Sequence, residues 1–149
     1  MRNQLVIGIV GSRRRDDLET HELGIAAFVR LCRALRQKKK TVTAVVSGGA
    51  QQGLDRLAPL LAKRFGLTLI VHFPDYKTFG RIAPFMRNTK VAHDADYLIA
   101  AVHRDRTGGT EDTVKKFLRN HPESRVVLVR QRAQTKCRGL IMQVTGNFQ

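Results

Sequence analysis

The sequence has few cysteines and no long apolar segment. Its two cysteines, Cys32 and Cys137, do not form a C-x-x-C pair, which argues against a disulfide scaffold or a zinc site. No apolar run approaches the roughly 20 residues that span a bilayer. The apolar start of the chain lacks a small-residue cleavage site and predicts a strand, not a signal peptide. We therefore expect a cytoplasmic protein with no membrane partner, no metal site and no cofactor.

Acidic residues are also scarce. The 149 residues include 27 Lys and Arg against 12 Asp and Glu, a formal net charge of +15. This excess favours a polyanionic partner, because phosphates are the commonest acidic groups that a protein meets. The basic residues are spread along the chain, so a generally basic surface is an equally open interpretation. The densest basic clusters lie at 13–15, 38–40 and 130–138.

Apolar runs alternate with helical patterns along the chain. The predicted strands are 4–10, 42–47, 67–73, 96–102 and 124–130. The predicted helices are 17–38, 54–65 with a kink or restart at Pro59, 85–95 after Pro84, and 110–118 with Thr110 as its N-cap. Nearly continuous apolar strands are typical of a parallel sheet that is covered on both faces. The pattern predicts one domain over 1–149 with an α/β, Rossmann-like three-layer sandwich and a mostly parallel sheet of five or more strands. Within 131–149, the segment 138–144 predicts an edge strand or a tail.

Four loops that follow predicted strands carry unusual residues. They are 11–17, 47–55, 74–88 and 103–110. Ligands of open parallel sheets bind beyond the carboxyl ends of the strands, so we expect these loops to meet at one rim.

The loop after the second strand, "SGGAQQGLD", is rich in glycine. Without a β-carbon, Gly48, Gly49 and Gly53 allow backbone N–H groups to approach a phosphate closely at a helix N-terminus. Ser47 could donate a hydroxyl hydrogen bond, and Asp55 suits a ribose hydroxyl or the cap of its own helix. A tight strand-to-helix turn explains the same glycines. Neither G-x-G-x-x-G nor G-x-x-x-x-G-K-[ST] is present.

Basic and polar side chains occur in the other three loops. Arg13 is the arginine nearest the end of the first strand and suits a bidentate phosphate contact. Arg87 and Asn88 fall in the first turn of a helix. The stretch "TGGT" at 107–110 repeats the arrangement of glycines before a helix, although acidic residues in the first turn compete there with a bound anion. His103 is the histidine that suits a catalytic test best.

Several fragments occur in an order that resembles a known family. They are "GSR" after the first strand, "VVSGGAQQGLD", "FPDYKTFGRIAPFMRN", "HDADYLIAAV" and "TGGTEDTV". Over residues 4–130 this set is similar to the SLOG superfamily, named for the Smf/DprA and LOG proteins, and most similar to its YspA-like branch of small stand-alone domains. The resemblance implies a Rossmann-like fold, a nucleotide or nucleotide-derived ligand at the rim, and a homodimer.

The resemblance also implies a set of ligand-binding residues. They are Gly11, Ser12, Arg13, Ser47, Gly48, Gly49, Gly53, Asp55, Arg87, Asn88, Gly108, Gly109 and Thr110. Nucleotide binding is the leading hypothesis. One alternative is a phosphoribohydrolase acting on nucleoside monophosphates, as in the LOG enzymes, with Arg87 and Glu111 as catalytic residues. Those enzymes carry their glutamate at the position of Thr113, and Glu111 and Asp112 lie nearby. The other alternative is binding of single-stranded nucleic acid through the basic surface, as in the DprA branch.

Overall fold

A central parallel sheet organises the chain. The computed structural model describes residues 3–130 and 144–145, so Cys137 and most of the predicted segment 138–144 lie outside the described residues. The strands are β1 Gln4–Gly11, β2 Thr41–Ser47, β3 Thr68–Val71, β4 Tyr97–Ala101, β5 Val126–Val129 and β6 Val144–Thr145. Their order across the sheet is β3-β2-β1-β4-β5-β6. The first five are parallel, and β6 pairs antiparallel with β5 at the edge.

Helices cover both faces of this sheet. They are α1 Leu18–Gln37, α2 Leu57–Phe65, α3 Tyr76–Phe79, α4 Ala83–Asp94 and α5 Gly109–Leu118. Buried side chains of α1 and α2 pack with Ile7, Ile9 and Val45 on one face of the sheet. Those of α4 and α5 pack with Val10 and Val46 on the other face. The alternation of these strand residues between two cores confirms the predicted three-layer α/β sandwich.

Local capping explains where α1 begins. The Asp17 side chain accepts a hydrogen bond from the Thr20 backbone N–H at 2.9 Å, which satisfies one of the free amides of the first turn. Along the helix, Leu23, Ala27, Phe28 and Leu31 are buried at helical spacing. The sequence pattern therefore places α1 against the sheet, as predicted.

Three helix starts differ from the sequence-based expectation. The helix expected at 85–95 begins at Ala83, so Arg87 and Asn88 lie in its second turn and not in its first. Thr110 is not the N-cap of α5, because the helix begins at Gly109 and its N-cap is Gly108, which provides no capping side chain. The predicted helix 54–65 begins instead with the 3₁₀ turn Leu54–Arg56, and α2 follows it. Pro59 then falls in the first turn of α2, where its missing N–H breaks no intrahelical hydrogen bond.

The direction of chain winding reverses between β1 and β4. These strands are neighbours in the sheet, with Gly11 opposite Ala101 at their carboxyl ends. From β1 the chain proceeds to β2 on one side, whereas from β4 it proceeds to β5 on the other. The connections leave in opposite directions, which opens a crevice at the carboxyl ends of the two strands. None of the helices in residues 3–130 has both the length and the apolar character that crossing a membrane requires.

Candidate functional site

A cleft of about 400 Å³ occupies the crevice beyond β1 and β4. It is lined by residues from all four loops that the sequence singled out. The polar and glycine residues of the lining, together with Ala50, are Gly11, Ser12, Arg13, Arg14, Gly48, Ala50, Asp55, Tyr76, Arg87, Asn88, Thr107, Gly108, Gly109, Thr110 and Thr113, and the apolar ones are Val10, Pro84 and Val91. The volume is within the range of small-molecule sites, roughly 300–1,000 Å³.

The carboxylate of Asp55 fastens the first two loops together at the floor of the cleft. One oxygen accepts the backbone N–H of Gly11 at 3.0 Å. The other accepts the hydroxyl of Ser47 and the backbone N–H of Gly48, each at 3.1 Å. Asp55 is 7% exposed, and burial raises the pKa of its carboxyl. Its hydrogen-bonding oxygens are thus engaged by the loops of β1 and β2, and it does not cap a helix.

Arg87 and Asn88 connect the second loop to the fourth. Arg87 Nη1 donates to the carbonyl oxygen of Gly48 at 2.5 Å, and its Nε donates to Asn88 Oδ1 at 2.9 Å. Asn88 Nδ2 donates in turn to the carbonyl oxygen of Gly109 and to Asp112 Oδ2, each at 3.1 Å. A continuous chain of hydrogen bonds therefore runs from Gly48 to Gly109 across the cleft.

Two arginines give the cleft its positive charge. Arg87 is half-buried, and burial lowers its pKa, while the charge of Asp55 raises it and the charge of Arg13 lowers it. The effect of Arg13 means that two guanidinium groups lie near one another at the same site. Arg13 is exposed, and between residues 3 and 130 no acceptor or carboxylate partner is found for its side chain. It is therefore available to an anion.

The glycines of the second loop are explained mainly by close packing. A β-carbon on Gly48 would lie 2.8 Å from Arg87 Nη1, so the missing side chain makes room for the guanidinium. Gly53 has φ +80°, and a β-carbon there would lie 2.8 Å from the carbonyl oxygen of Ser12. This glycine lets the loop after β2 lie directly against the end of β1.

The N-terminus of α5 faces the cleft without a capping side chain. Its hydrogen bonding begins with the Asp112 N–H, which donates to the carbonyl oxygen of Gly108 at 3.1 Å. The amides of 109–111 accordingly have no partner within the helix. The acidic residues of the first turn are engaged elsewhere. Glu111 forms a two-bond ion pair with Arg106 at 2.6 and 3.0 Å, and Asp112 pairs with Lys116 at 2.9 Å.

Most of the predicted ligand-binding residues come together in this cleft. Gly11, Ser12, Arg13, Gly48, Asp55, Arg87, Asn88, Gly108, Gly109 and Thr110 line it. Ser47 and Gly49 line a neighbouring cavity instead, and Gly53 packs against the end of β1. Glu111, named as a catalytic candidate, is not brought into the cleft.

Other residues of the cleft were missed at the sequence level. Arg14 forms a two-bond ion pair with Asp105 at 2.6 and 3.0 Å, and this pair holds the loop after β4 against the loop after β1. Tyr76 lines the mouth of the cleft and is 59% exposed. Tyr76 could have been proposed from the sequence, because it lies in the long connection after β3. Thr113, on the second turn of α5, lines the wall; the resemblance named it only as the position of a glutamate and did not count it as a binding residue.

Within residues 3–130, neither a histidine nor a metal cluster lies at the cleft. His103 Nδ1 lies 3.3 Å from Asp105 Oδ1, and His103 is not among the lining residues. In the described part of the chain, no group of three or more His, Cys, Asp and Glu side chains is arranged to hold a metal ion.

Comparisons with protein-family models, curated proteins and solved structures find no match for this chain. Membership of the SLOG superfamily, the homodimer and the cytoplasmic location therefore stay predictions. The cleft has to be interpreted from its own chemistry.

Proposed function

We propose that the protein binds a nucleotide or a nucleotide-derived ligand in the cleft between β1 and β4. The observation that carries the proposal is the convergence of Gly48, Arg87 and Gly109, linked by hydrogen bonds, around one cleft. The cleft also holds Arg13, whose side chain has no partner among residues 3–130. The phosphate lies between the two guanidinium groups and the N-terminus of α5.

The N-terminus of α5 supports binding of an anion. Its free amides and the positive end of the helix dipole both favour negative charge. Two acidic residues in the first turn would normally oppose this. Because Arg106 neutralises Glu111 and Lys116 neutralises Asp112, that opposition is reduced.

Gly109 supports close approach of a ligand from outside the protein. A β-carbon there would meet only Asn88 Nδ2, at an ordinary 3.7 Å, so packing within the chain does not require a glycine. A glycine in the first turn also lowers helix stability relative to alanine. An anion that contacts the backbone at this point accounts for the missing side chain.

The walls of the cleft suit the remainder of a nucleotide. Val10, Val91 and Pro84 provide apolar contact, and the exposed ring of Tyr76 lies at the mouth. An apolar wall with a few convergent polar groups is the usual composition of a small-molecule site. A base and ribose therefore fit the part of the cleft that is away from the arginines.

The hydrolase alternative has less support. Asp55 is the only carboxylate among the lining residues, all of which lie in 3–130. Gly11, Ser47 and Gly48 donate hydrogen bonds to it, which leaves about one of its four lone-pair sites open. A general base needs a free lone pair within reach of its proton. We therefore propose binding, not hydrolysis.

The experiment is titration calorimetry with AMP on the wild-type chain and on matched arginine variants. Arg13→Ala removes an exposed side chain with no partner in the described residues, so it leaves the fold unchanged and weakens AMP binding about tenfold. Arg87→Ala weakens it by about 1.5–3 kcal/mol, the value of charged hydrogen bonds. Arg30→Ala is the control, because it removes the same charge from an exposed position on α1 outside the cleft. Equal affinities for all four proteins, or no heat of binding, would contradict the proposal.

A further inference from the structure

A second cavity lies beside the cleft, beyond the carboxyl ends of β2 and β3. Its volume is about 740 Å³. Ala50 and Asp55 line both spaces, so the two cavities adjoin at the loop after β2.

An exposed aromatic ring forms one wall of this cavity. Phe73 is 69% exposed, and the neighbouring apolar side chain of Leu69 is 38% exposed. Phe73 lies against the glycine loop. Gly49 has φ +70°, and a β-carbon there would lie 2.6 Å from Phe73 Cε1. The glycine thus allows the ring to rest on the backbone while most of its surface remains open to a second ring.

The polar groups of the cavity suit a neutral heterocycle better than a phosphate. Asp16 accepts a hydrogen bond from the Gly53 N–H at 2.9 Å and forms an ion pair with Arg56 at 3.0 Å. The negative charge of Asp16 and the positive charge of Arg56 therefore compensate each other. Gln51 and Gln52 are exposed, and no hydrogen bond to either side chain is found between residues 3 and 130. A carboxamide offers both donors and an acceptor, as the edge of a nucleobase does.

We propose that the second cavity binds a second planar heterocycle of the ligand whose phosphate lies in the cleft. This inference rests on the proposed function and specifies the ligand class: two nucleosides joined through phosphates, not a single nucleotide. The first nucleoside occupies the cleft, and the phosphates lie between Arg13, Arg87 and α5. The second base stacks on Phe73 within reach of Gln51 and Gln52.

Ala50 is the point at which this ligand crosses from one cavity to the other. Its side chain is small and lines both spaces, so a ligand that occupies both cavities passes over it. Ala50→Leu therefore weakens binding of a two-base ligand more than binding of AMP.

The test compares AMP with diadenosine diphosphate by calorimetry in one buffer at one salt concentration. The wild-type chain binds the dinucleotide at least about tenfold more tightly, because stacking of one base on an aromatic side chain gives a gain of that size. Phe73→Ala removes this preference and leaves AMP binding unchanged. Leu60→Ala is the matched control, since Leu60 is 64% exposed on α2 and lines neither cavity. A second variant, Gln51→Ala with Gln52→Ala, reduces the preference without altering AMP binding.

Three outcomes overturn the inference alone. The wild-type chain binds AMP and the dinucleotide with equal affinity, Phe73→Ala keeps the wild-type preference for the dinucleotide, or Phe73→Ala weakens binding of the two ligands equally. In each of these cases, AMP binding that still depends on Arg13 leaves the proposed function standing. Failure of both ligands to bind overturns the two proposals together.

Discussion

The carbonyl oxygen of Gly48 accepts a hydrogen bond from Arg87 Nη1 across 2.5 Å, which joins the loop after β2 to α4. The contact depends on the missing side chain of Gly48, because the guanidinium occupies the place of a β-carbon. The orientation of Arg87 toward the cleft is therefore set by a residue 39 positions earlier in the chain.

Gly48→Ala displaces Arg87 and weakens AMP binding. The added β-carbon would lie 2.8 Å from Nη1 and 2.9 Å from Cδ of Arg87, so the side chain moves away and loses its bond to the backbone. The φ of Gly48 is not positive, so the backbone itself tolerates alanine. We expect the free energy of AMP binding to weaken by about 1–2 kcal/mol, with a smaller change in thermal stability. Calorimetry and thermal unfolding on the same sample measure both, and unchanged affinity would show that the position of Arg87 does not matter.

Asp55→Asn changes the pH dependence of stability. Burial raises the pKa of Asp55 in the folded chain above the unfolded value of about 3.9, so the unfolded chain loses its proton first as pH rises. Above that pH the folded state binds more protons, and the contribution of this carboxyl to stability falls as pH rises toward the folded pKa. Asparagine does not titrate. The wild-type chain is therefore favoured more, relative to Asp55→Asn, at pH 4 than at pH 7.

Urea denaturation at these two pH values measures the difference in the free energy of unfolding. Asp75→Asn serves as the control, because Asp75 is exposed and has the opposite, lowered pKa. The expectation is wrong if the wild-type chain and Asp55→Asn differ in the free energy of unfolding by the same amount at both pH values.

Arg15→Met destabilises the fold. Arg15 is 1% exposed and donates to the carbonyl oxygens of Val102 and Val129 and to Thr20 Oγ1. These bonds tie the carboxyl ends of β4 and β5 to the start of α1. Methionine fills the space and leaves two carbonyl groups without this donor. We therefore expect the free energy of unfolding to fall by about 2–4 kcal/mol. Chemical denaturation measures it. Arg13→Met is the neighbouring control, because Arg13 is exposed and its side chain has no partner among residues 3–130. Equal stability of the two variants would mean that solvent or other donors replace the buried guanidinium.

Cys32 reacts slowly with alkylating reagents. It lies half-buried on α1, and burial raises the pKa of its thiol to about 11. Only the thiolate is nucleophilic, so at pH 8 about one thiol in a thousand is reactive. In a Cys137→Ser chain, iodoacetamide labelling followed by mass spectrometry measures Cys32 alone. Denaturing the same sample in urea provides the control, and labelling of the native chain at the denatured rate would contradict the raised pKa.

The strands and the meeting of the four loops could be predicted from the sequence. Apolar runs such as 4–10 and 96–102 are long enough to identify buried strands, and parallel strands with intervening helices bring their carboxyl ends to one edge. Gly48 and Gly109 are 61 positions apart in the numbering, yet the topology alone places their loops together.

The pairing of individual side chains could not be predicted in the same way. Glu111 accepts hydrogen bonds from Arg106, and Arg106 adopts φ +55°, a conformation that nothing in its residue type indicates. Asp55 resembles a helix-capping residue in the sequence. Its burial depends on Gly11 and Gly48 both presenting N–H groups to it, which is a property of the folded loops.

The carboxylate of Asp55 has a consequence for the energetics of recognition. It holds the exits of β1 and β2 in place through hydrogen bonds made entirely within the chain. A ligand that enters the cleft therefore loses little affinity to ordering the floor beneath it. Recognition at this floor is by a preorganised surface, and differences between ligands arise at its margins, where Arg13 and Tyr76 are exposed.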